Sequence, residues 1–169
     1  MTIQKTFKLV FMFISMTSVV LASSMPTSRY EATPKKTGAY KTEGFFSAGK
    51  KEITSAALKD IRRANSNEGF ERIVFDMDSQ ASLPYFQVQY IPNESRIVVS
   101  IWSNVQYEFD SNRIRKAFSK SKNIKKVNIV PRVEDGLAII EMVIADQKKP
   151  LKFESFYLSK PNRIIIDLL

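Results

Sequence analysis

The 169-residue chain contains no histidine and no cysteine. A Ser-His-Asp triad, a Cys-His pair and a zinc site with imidazole or thiolate ligands are therefore excluded. Disulfide bonds are excluded as well. Only five glycines occur, and none belongs to a GxGxxG or GxxxxGK phosphate-binding pattern. We therefore expect a protein that is not an enzyme and that uses no metal and no cofactor.

The first 24 residues have the three-part layout of a secretory signal peptide. Lys5 and Lys8 are followed by an uncharged apolar stretch at 9–22 and by small residues, which predict cleavage after Ala22 or Ser24. The apolar stretch is shorter than the roughly 20 residues that a transmembrane helix needs, and an uncleaved signal anchor is the alternative. We therefore expect an exported protein, periplasmic or extracellular, that contacts the membrane only through this segment before cleavage.

Basic residues outnumber acidic ones, 26 against 17. Outside the cytoplasm such a surface meets cell-wall polymers, lipid headgroups and lipopolysaccharide rather than nucleic acid. The expected partner is thus a cell-wall glycan or another anionic polymer of the envelope, with an envelope protein as a further possibility. Excess lysine that only keeps the protein soluble is the plainer alternative.

The rest of the chain divides into two parts. Residues 25–56 mix Pro, Thr, Ser, Gly and Lys without hydrophobic periodicity, which predicts a flexible linker, although its aromatic residues suggest that part of it docks. Residues 57–169 contain short runs rich in β-branched and aromatic residues, separated by turn residues. The predicted strands are 57–63, 71–77, 85–91, 96–102, 124–133, 137–145, 151–158 and 163–168. A short helix within 110–122, capped by Ser111 or Asn112, separates the fourth strand from the fifth.

An internal duplication relates these strands at an offset of 67 residues. Seven of the 33 positions at 69–101 are identical to their counterparts, and the hydrophobic phase and the turns coincide too. A one-residue slip would turn every side chain of a strand to the other face. We therefore predict an all-β fold, a β-sandwich of two similar four-stranded units with one short helix between the halves. The predicted core residues of one hairpin are Phe86, Val88, Tyr90, Ile97, Val99 and Ile101.

Three segments of the predicted domain resemble the AMIN domains of exported bacterial proteins. They are GFERIVFD at 69–76, YFQVQYI at 85–91 and LSKPNRIIIDL at 158–168. The resemblance implies a sandwich of two symmetric four-stranded sheets and a role in targeting, because AMIN domains place wall amidases and pilus secretins at peptidoglycan. No amidase or secretin follows within the chain, so we expect the module to act alone or to recruit a partner in trans. Its second half lacks a counterpart of Arg72, so a ligand surface built on this residue would exist once.

The candidate ligand-binding residues are basic or aromatic. Seven positive charges lie within 113–126 and form either an anion-binding patch or the solvated face of a helix. The aromatic rings near the end of the fourth strand either stack on sugars or cover the open end of the sandwich. The candidates are Arg72, Trp102, Tyr107, Arg113, Arg115, Lys116, Lys125 and Lys126.

For the other charged residues we expect structural roles. Asp76 and Asp78 share one face of a strand but are too few for a calcium site. Asp167 lies in an aliphatic run and faces either the core or solvent. Arg96 and Arg163 are equivalent by the duplication, and we expect each to pair with a carboxylate across the sheet. The leading hypothesis is a non-enzymatic module that binds the cell wall, and the alternative is a protein-interaction adaptor of an envelope machine.

Overall fold

The computed structural model describes residues 28–79, 81–132, 136–146 and 149–169, the side chains of 131 and 132 excepted. Strands make up 57% of the described residues. The predicted signal peptide lies outside the described residues, and no helix within them could cross a membrane. The elements are β1 Arg29–Glu31, β2 Gly44–Ala48, β3 Ser55–Asn65, β4 Glu71–Asp78, β5 Phe86–Ile91, β6 Arg96–Trp102, β7 Asn104–Tyr107, α1 Ser111–Phe118, β8 Ile124–Arg132, β9 Leu137–Ile144, β10 Phe153–Ser159 and β11 Asn162–Leu168.

The strands form two sheets that pack face to face, as predicted for a β-sandwich. One sheet has the order β1-β2-β5-β6-β9-β8, and the other has the order β10-β11-β4-β3-β7. Side chains alternate between the core and the outer face, because successive residues of a strand point to opposite sides. The six core residues predicted for the β5–β6 hairpin are all buried, which confirms the alternation.

Each half of the duplication contributes one hairpin to each sheet. Hairpins β3–β4 and β10–β11 lie in the five-stranded sheet, and β5–β6 and β8–β9 lie in the six-stranded sheet. The register repeats at the predicted offset: Ile97 pairs with Met142 across β6 and β9, and Ile164 pairs with Phe75 across β11 and β4. Each sheet therefore contains strands from both halves of the duplication. Strands β1 and β2 extend one sheet to six strands, and β7 extends the other to five.

The first strands of the two halves carry a bulge at corresponding places. The register of β3 shifts between Leu58 and Asp60, and that of β8 shifts between Ile124 and Lys126. The extra residue at such a shift lies outside the regular ladder and re-aims the neighbouring side chains. In β8 that extra residue is Lys125, one of the candidate ligand-binding residues.

The prediction of a flexible linker is wrong for 28–48. Strand β2 pairs with β5, and β1 pairs in parallel with β2. Phe46 is 4% exposed and packs edge-on against Phe153, with 5.3 Å between the ring centroids. Gly44 has φ +94°, and a Cβ there would lie 2.6 Å from the carbonyl oxygen of Ser28, so a glycine lets β1 approach. Burial of aromatic rings and strand pairing at the sheet edge therefore fix the position of residues 28–48, although their sequence has no long hydrophobic pattern.

The helix α1 packs against β3 and β8 and closes one side of the sandwich. Its cap is Asp110, whose carboxylate accepts a 2.8 Å hydrogen bond from the amide of Asn112, so the predicted capping residue is wrong by one or two positions. Its apolar face consists of Ile114 and Phe118, which are buried. Ala117 packs at the edge of the core.

Candidate anion-binding surface

Two grooves flank α1, and the first, which we call the helix groove, lies between α1 and β8. Its volume is about 550 Å³. Ile114 and Phe118 of α1 and Val127 and Ile129 of β8 supply apolar walls, and all four also pack against the core. The helix groove is therefore a concave, partly apolar surface built on two regular elements.

Three basic side chains line the helix groove: Arg115 on α1, Lys125 at the β8 bulge, and Lys126 beside it. All three residues are exposed. In the described part of the chain, every ion pair within 4.0 Å involves other residues. Among the described residues, the side chain of Arg115 makes only a long 3.5 Å hydrogen bond to the side chain of Asn112. These charges are thus not neutralised by described carboxylates and can meet an anion from outside.

The second groove, which we call the arginine groove, lies on the outer face of the five-stranded sheet, on the other side of α1. Its volume is about 490 Å³. Unlike the cations of the helix groove, each of its arginines forms an ion pair with a described carboxylate. The arginines that line it are Arg62, Arg63, Arg72, Arg113 and Arg163.

Asp76 joins two of these arginines. Its carboxylate accepts hydrogen bonds from Arg62 and, at 2.8 Å, from the Nε of Arg163. Burial alone would raise the pKa of Asp76, but the hydrogen bonds from the two guanidinium groups outweigh it and lower the pKa below 3.8. The single negative charge of Asp76 therefore neutralises only one of the two positive charges of Arg62 and Arg163.

Asp167 is the most buried carboxylate among the ion pairs of the arginine groove. It lies on the outer face, which answers the question that the sequence left open, yet its side chain is inaccessible to solvent. Arg72 donates two hydrogen bonds to it, and this interaction raises the pKa of Arg72. Lys36 of the N-terminal segment approaches the same carboxylate to 3.4 Å. The segment that was predicted to be a linker thus completes this pair.

The two aromatic candidates line neither groove. Trp102 is 37% exposed and contacts Tyr85 with its ring tilted by 49° and 5.1 Å between the ring centroids. Tyr107 packs against Phe109 with a centroid distance of 5.6 Å, and burial raises its pKa above 10.0. Tyr107 therefore serves as a partly buried covering residue, whereas Trp102 keeps an accessible ring.

The structure divides the predicted site residues into three groups. Arg115, Lys125 and Lys126 meet at the helix groove, and Arg72 and Arg113 meet at the arginine groove. Lys116, Trp102 and Tyr107 line neither of them.

The sequence interpretation missed three residues of the arginine groove as site residues. No sequence motif pointed to Arg62 and Arg63, because their proximity to the other arginines of the groove depends on strand register. Arg163 was expected only to pair across the sheet. That expectation is confirmed for Arg163 with Asp76 and for Arg96 with Glu141.

Comparison of the chain with models of protein families finds no match, and comparison with curated proteins finds none either. The resemblance to AMIN domains thus stays a prediction from the sequence motifs. The two grooves and their charges are therefore the features from which a function can be inferred.

Proposed function

We propose that this protein is an exported, non-enzymatic binding module that attaches to an anionic polymer of the bacterial cell wall, peptidoglycan or an associated polyanion. The observation that carries the proposal is the helix groove, where Arg115, Lys125 and Lys126 surround apolar walls without a described carboxylate partner. The predicted signal peptide and the resemblance to AMIN domains support the cell wall as the location of the polymer.

The chemistry of the helix groove suits a long, weakly held polyanion. Three accessible cations attract carboxylate or phosphate groups that recur along a polymer, and several such weak contacts add up. The apolar walls formed by Ile114, Phe118 and their β8 neighbours give the carbon face of a sugar a surface to lie on. In the arginine groove, by contrast, each guanidinium group already forms an ion pair with a described carboxylate.

Sedimentation with purified cell-wall sacculi tests the proposal. Residues 25–169, which include every described strand and the helix, should pellet with sacculi at low salt. At about 0.5 M salt much of this binding should be lost, because screening shortens the reach of exposed charges to a few ångströms. The double substitution Lys125→Gln and Lys126→Gln should reduce pelleting several-fold.

Lys120→Gln combined with Lys122→Gln is the matched control. It removes the same charge from the same basic run, but neither residue lines the helix groove. If both double variants lose binding equally, the groove geometry is irrelevant and only charge density matters. Absence of pelleting at both salt concentrations would contradict wall binding and favour the adaptor alternative.

A further inference from the structure

The charged network of the arginine groove occurs on one sheet only, although the duplication gives both sheets the same register. Arg72 pairs in register with Asp167, and the equivalent pair on the other sheet is Ile139 with Ser100. Asp76 corresponds in the same way to Val143. The fold therefore forms the same strand pairs with and without the network. Since buried ion pairs are weak evidence for stability, a purely structural role explains the network poorly.

The arginine groove also holds unused binding capacity. Asp76 neutralises one of the two charges on Arg62 and Arg163. Within the described residues, Arg163 uses only its Nε in a hydrogen bond, and its side chain is 33% exposed. A guanidinium group that is held at Nε presents its two terminal nitrogens as a planar fork, which matches the two oxygens of a carboxylate.

The floor between these arginines is apolar. Val74 of β4, Ile165 of β11 and Leu158 of β10 line the groove together with Ala117 of α1. A ligand that consists only of phosphate groups would leave these side chains unmatched. A ligand that carries aliphatic groups beside carboxylates would cover the floor and meet the arginines at the same time. The volume of about 490 Å³ lies within the range typical of ligand pockets, roughly 300–1,000 Å³.

We propose that the arginine groove is a second binding site, distinct from the helix groove, that takes an acidic peptide segment in which aspartate or glutamate adjoins aliphatic residues. Arg163 and Arg62 bind its carboxylates, and Asp76 holds both guanidinium groups in place. Val74, Ile165 and Leu158 receive the aliphatic side chains. The occupant belongs to a protein partner, so the molecule joins a partner at one groove and a polymer at the other.

A synthetic peptide tests this site. The probe is a blocked hexapeptide with two Leu-Asp-Asp repeats, titrated into residues 25–169 and followed by amide chemical shifts and calorimetry. We expect saturable shifts at β4, β10 and β11, and no binding of a control peptide with asparagine at each aspartate position. Arg163→Gln should weaken binding about tenfold, as expected for the loss of one charge-assisted contact.

Arg96→Gln is the matched control, because Arg96 is the equivalent of Arg163 on the other sheet, and its binding should equal that of the wild type. Arg62→Gln tests the same site at a more exposed residue, where loss of folding is a smaller concern. Lys125→Gln with Lys126→Gln should leave peptide binding intact, which separates this site from the helix groove. Equal binding of the two peptides, or wild-type affinity in both Arg163→Gln and Arg62→Gln, would overturn the proposal.

Discussion

Arg72 donates two hydrogen bonds, each of 2.7 Å, to the carboxylate of Asp167, which lies on the outer face of a sheet and is nevertheless inaccessible to solvent. The N-terminal segment accounts for this burial. It pairs with the edge strand β10, where the amide of Tyr157 donates to the carbonyl of Thr33 at 2.9 Å. Lys36 of that segment then stands over the ring of Phe70 and beside Asp167. The segment therefore turns a surface ion pair into a buried one.

Arg72→Ile should destabilise the protein because it leaves the buried Asp167 without its main partner. Loss of one partner of a buried pair typically costs about 3–5 kcal/mol. Because Arg72 is partly exposed and Lys36 remains nearby, we expect about 2 kcal/mol. Adding Asp167→Ser should restore most of this loss, since the other sheet carries isoleucine and serine at the equivalent positions. Urea unfolding of the two single variants and the double variant measures the coupling free energy between Arg72 and Asp167. If the losses of the single variants simply add in the double variant, the two residues are not coupled.

Phe46→Ala should destabilise the domain even though residue 46 lies in the predicted linker. Phe46 is buried against Phe153 and Tyr30, and replacement of a core phenylalanine by alanine costs about 3–5 kcal/mol. Phe45→Ala is the matched control, because Phe45 points to the other side of β2 and is only half-buried. Thermal and urea unfolding of both variants give the comparison. Equal losses would mean that the N-terminal strands do not contribute to the core as described.

Glu154→Ala should loosen the N-terminal segment without unfolding the sandwich. The buried carboxylate of Glu154 accepts hydrogen bonds of 2.7–3.0 Å from the amides of Thr37 and Gly38 and a 2.8 Å bond from the Thr37 hydroxyl. Hydrogen bonds to a charged group contribute about 1.5–3 kcal/mol, so amide exchange at Thr37 and Gly38 should accelerate about tenfold or more. Thr37→Val, which removes only the hydroxyl bond, should have a smaller effect. Unchanged exchange in Glu154→Ala would show that other contacts hold the segment.

The sequence predicted the fold where a pattern repeats over several residues. Apolar and polar residues alternate in β5 from Phe86 to Tyr90, and the offset of 67 residues relates β5 and β6 to β10 and β11. Strands β1 and β2 have three and five residues, too few for such a pattern, and their order comes from pairing with partners distant in sequence. Tertiary pairing thus determines what local composition does not show.

The site was predictable only where its residues are close in sequence. Arg115 and Lys125 are ten positions apart, and α1 and β8 pack together, so the basic run itself indicated the helix groove. Arg62 and Arg163 are separated by 101 positions and meet on Asp76 because β3, β4 and β11 are neighbours in one sheet. Such a meeting depends on strand order and register, which the sequence specified only in part.

Asp76 should give the protein a stability contribution that depends on pH. In the folded state the pKa of Asp76 is lowered from its ordinary value of about 3.9, which it regains in the unfolded chain. The carboxylate therefore stabilises the folded state fully above the unfolded pKa, and this stabilisation is lost as the pH falls toward the lowered folded value. The wild type should exceed Asp76→Asn in unfolding free energy by a constant amount from pH 7 to about pH 5, and the gap should shrink as the pH approaches 2. Urea unfolding at pH 7, 5, 3 and 2 measures the gap. A gap as large at pH 2 as at pH 7 would mean that the guanidinium groups of Arg62 and Arg163 do not favour the ionised form.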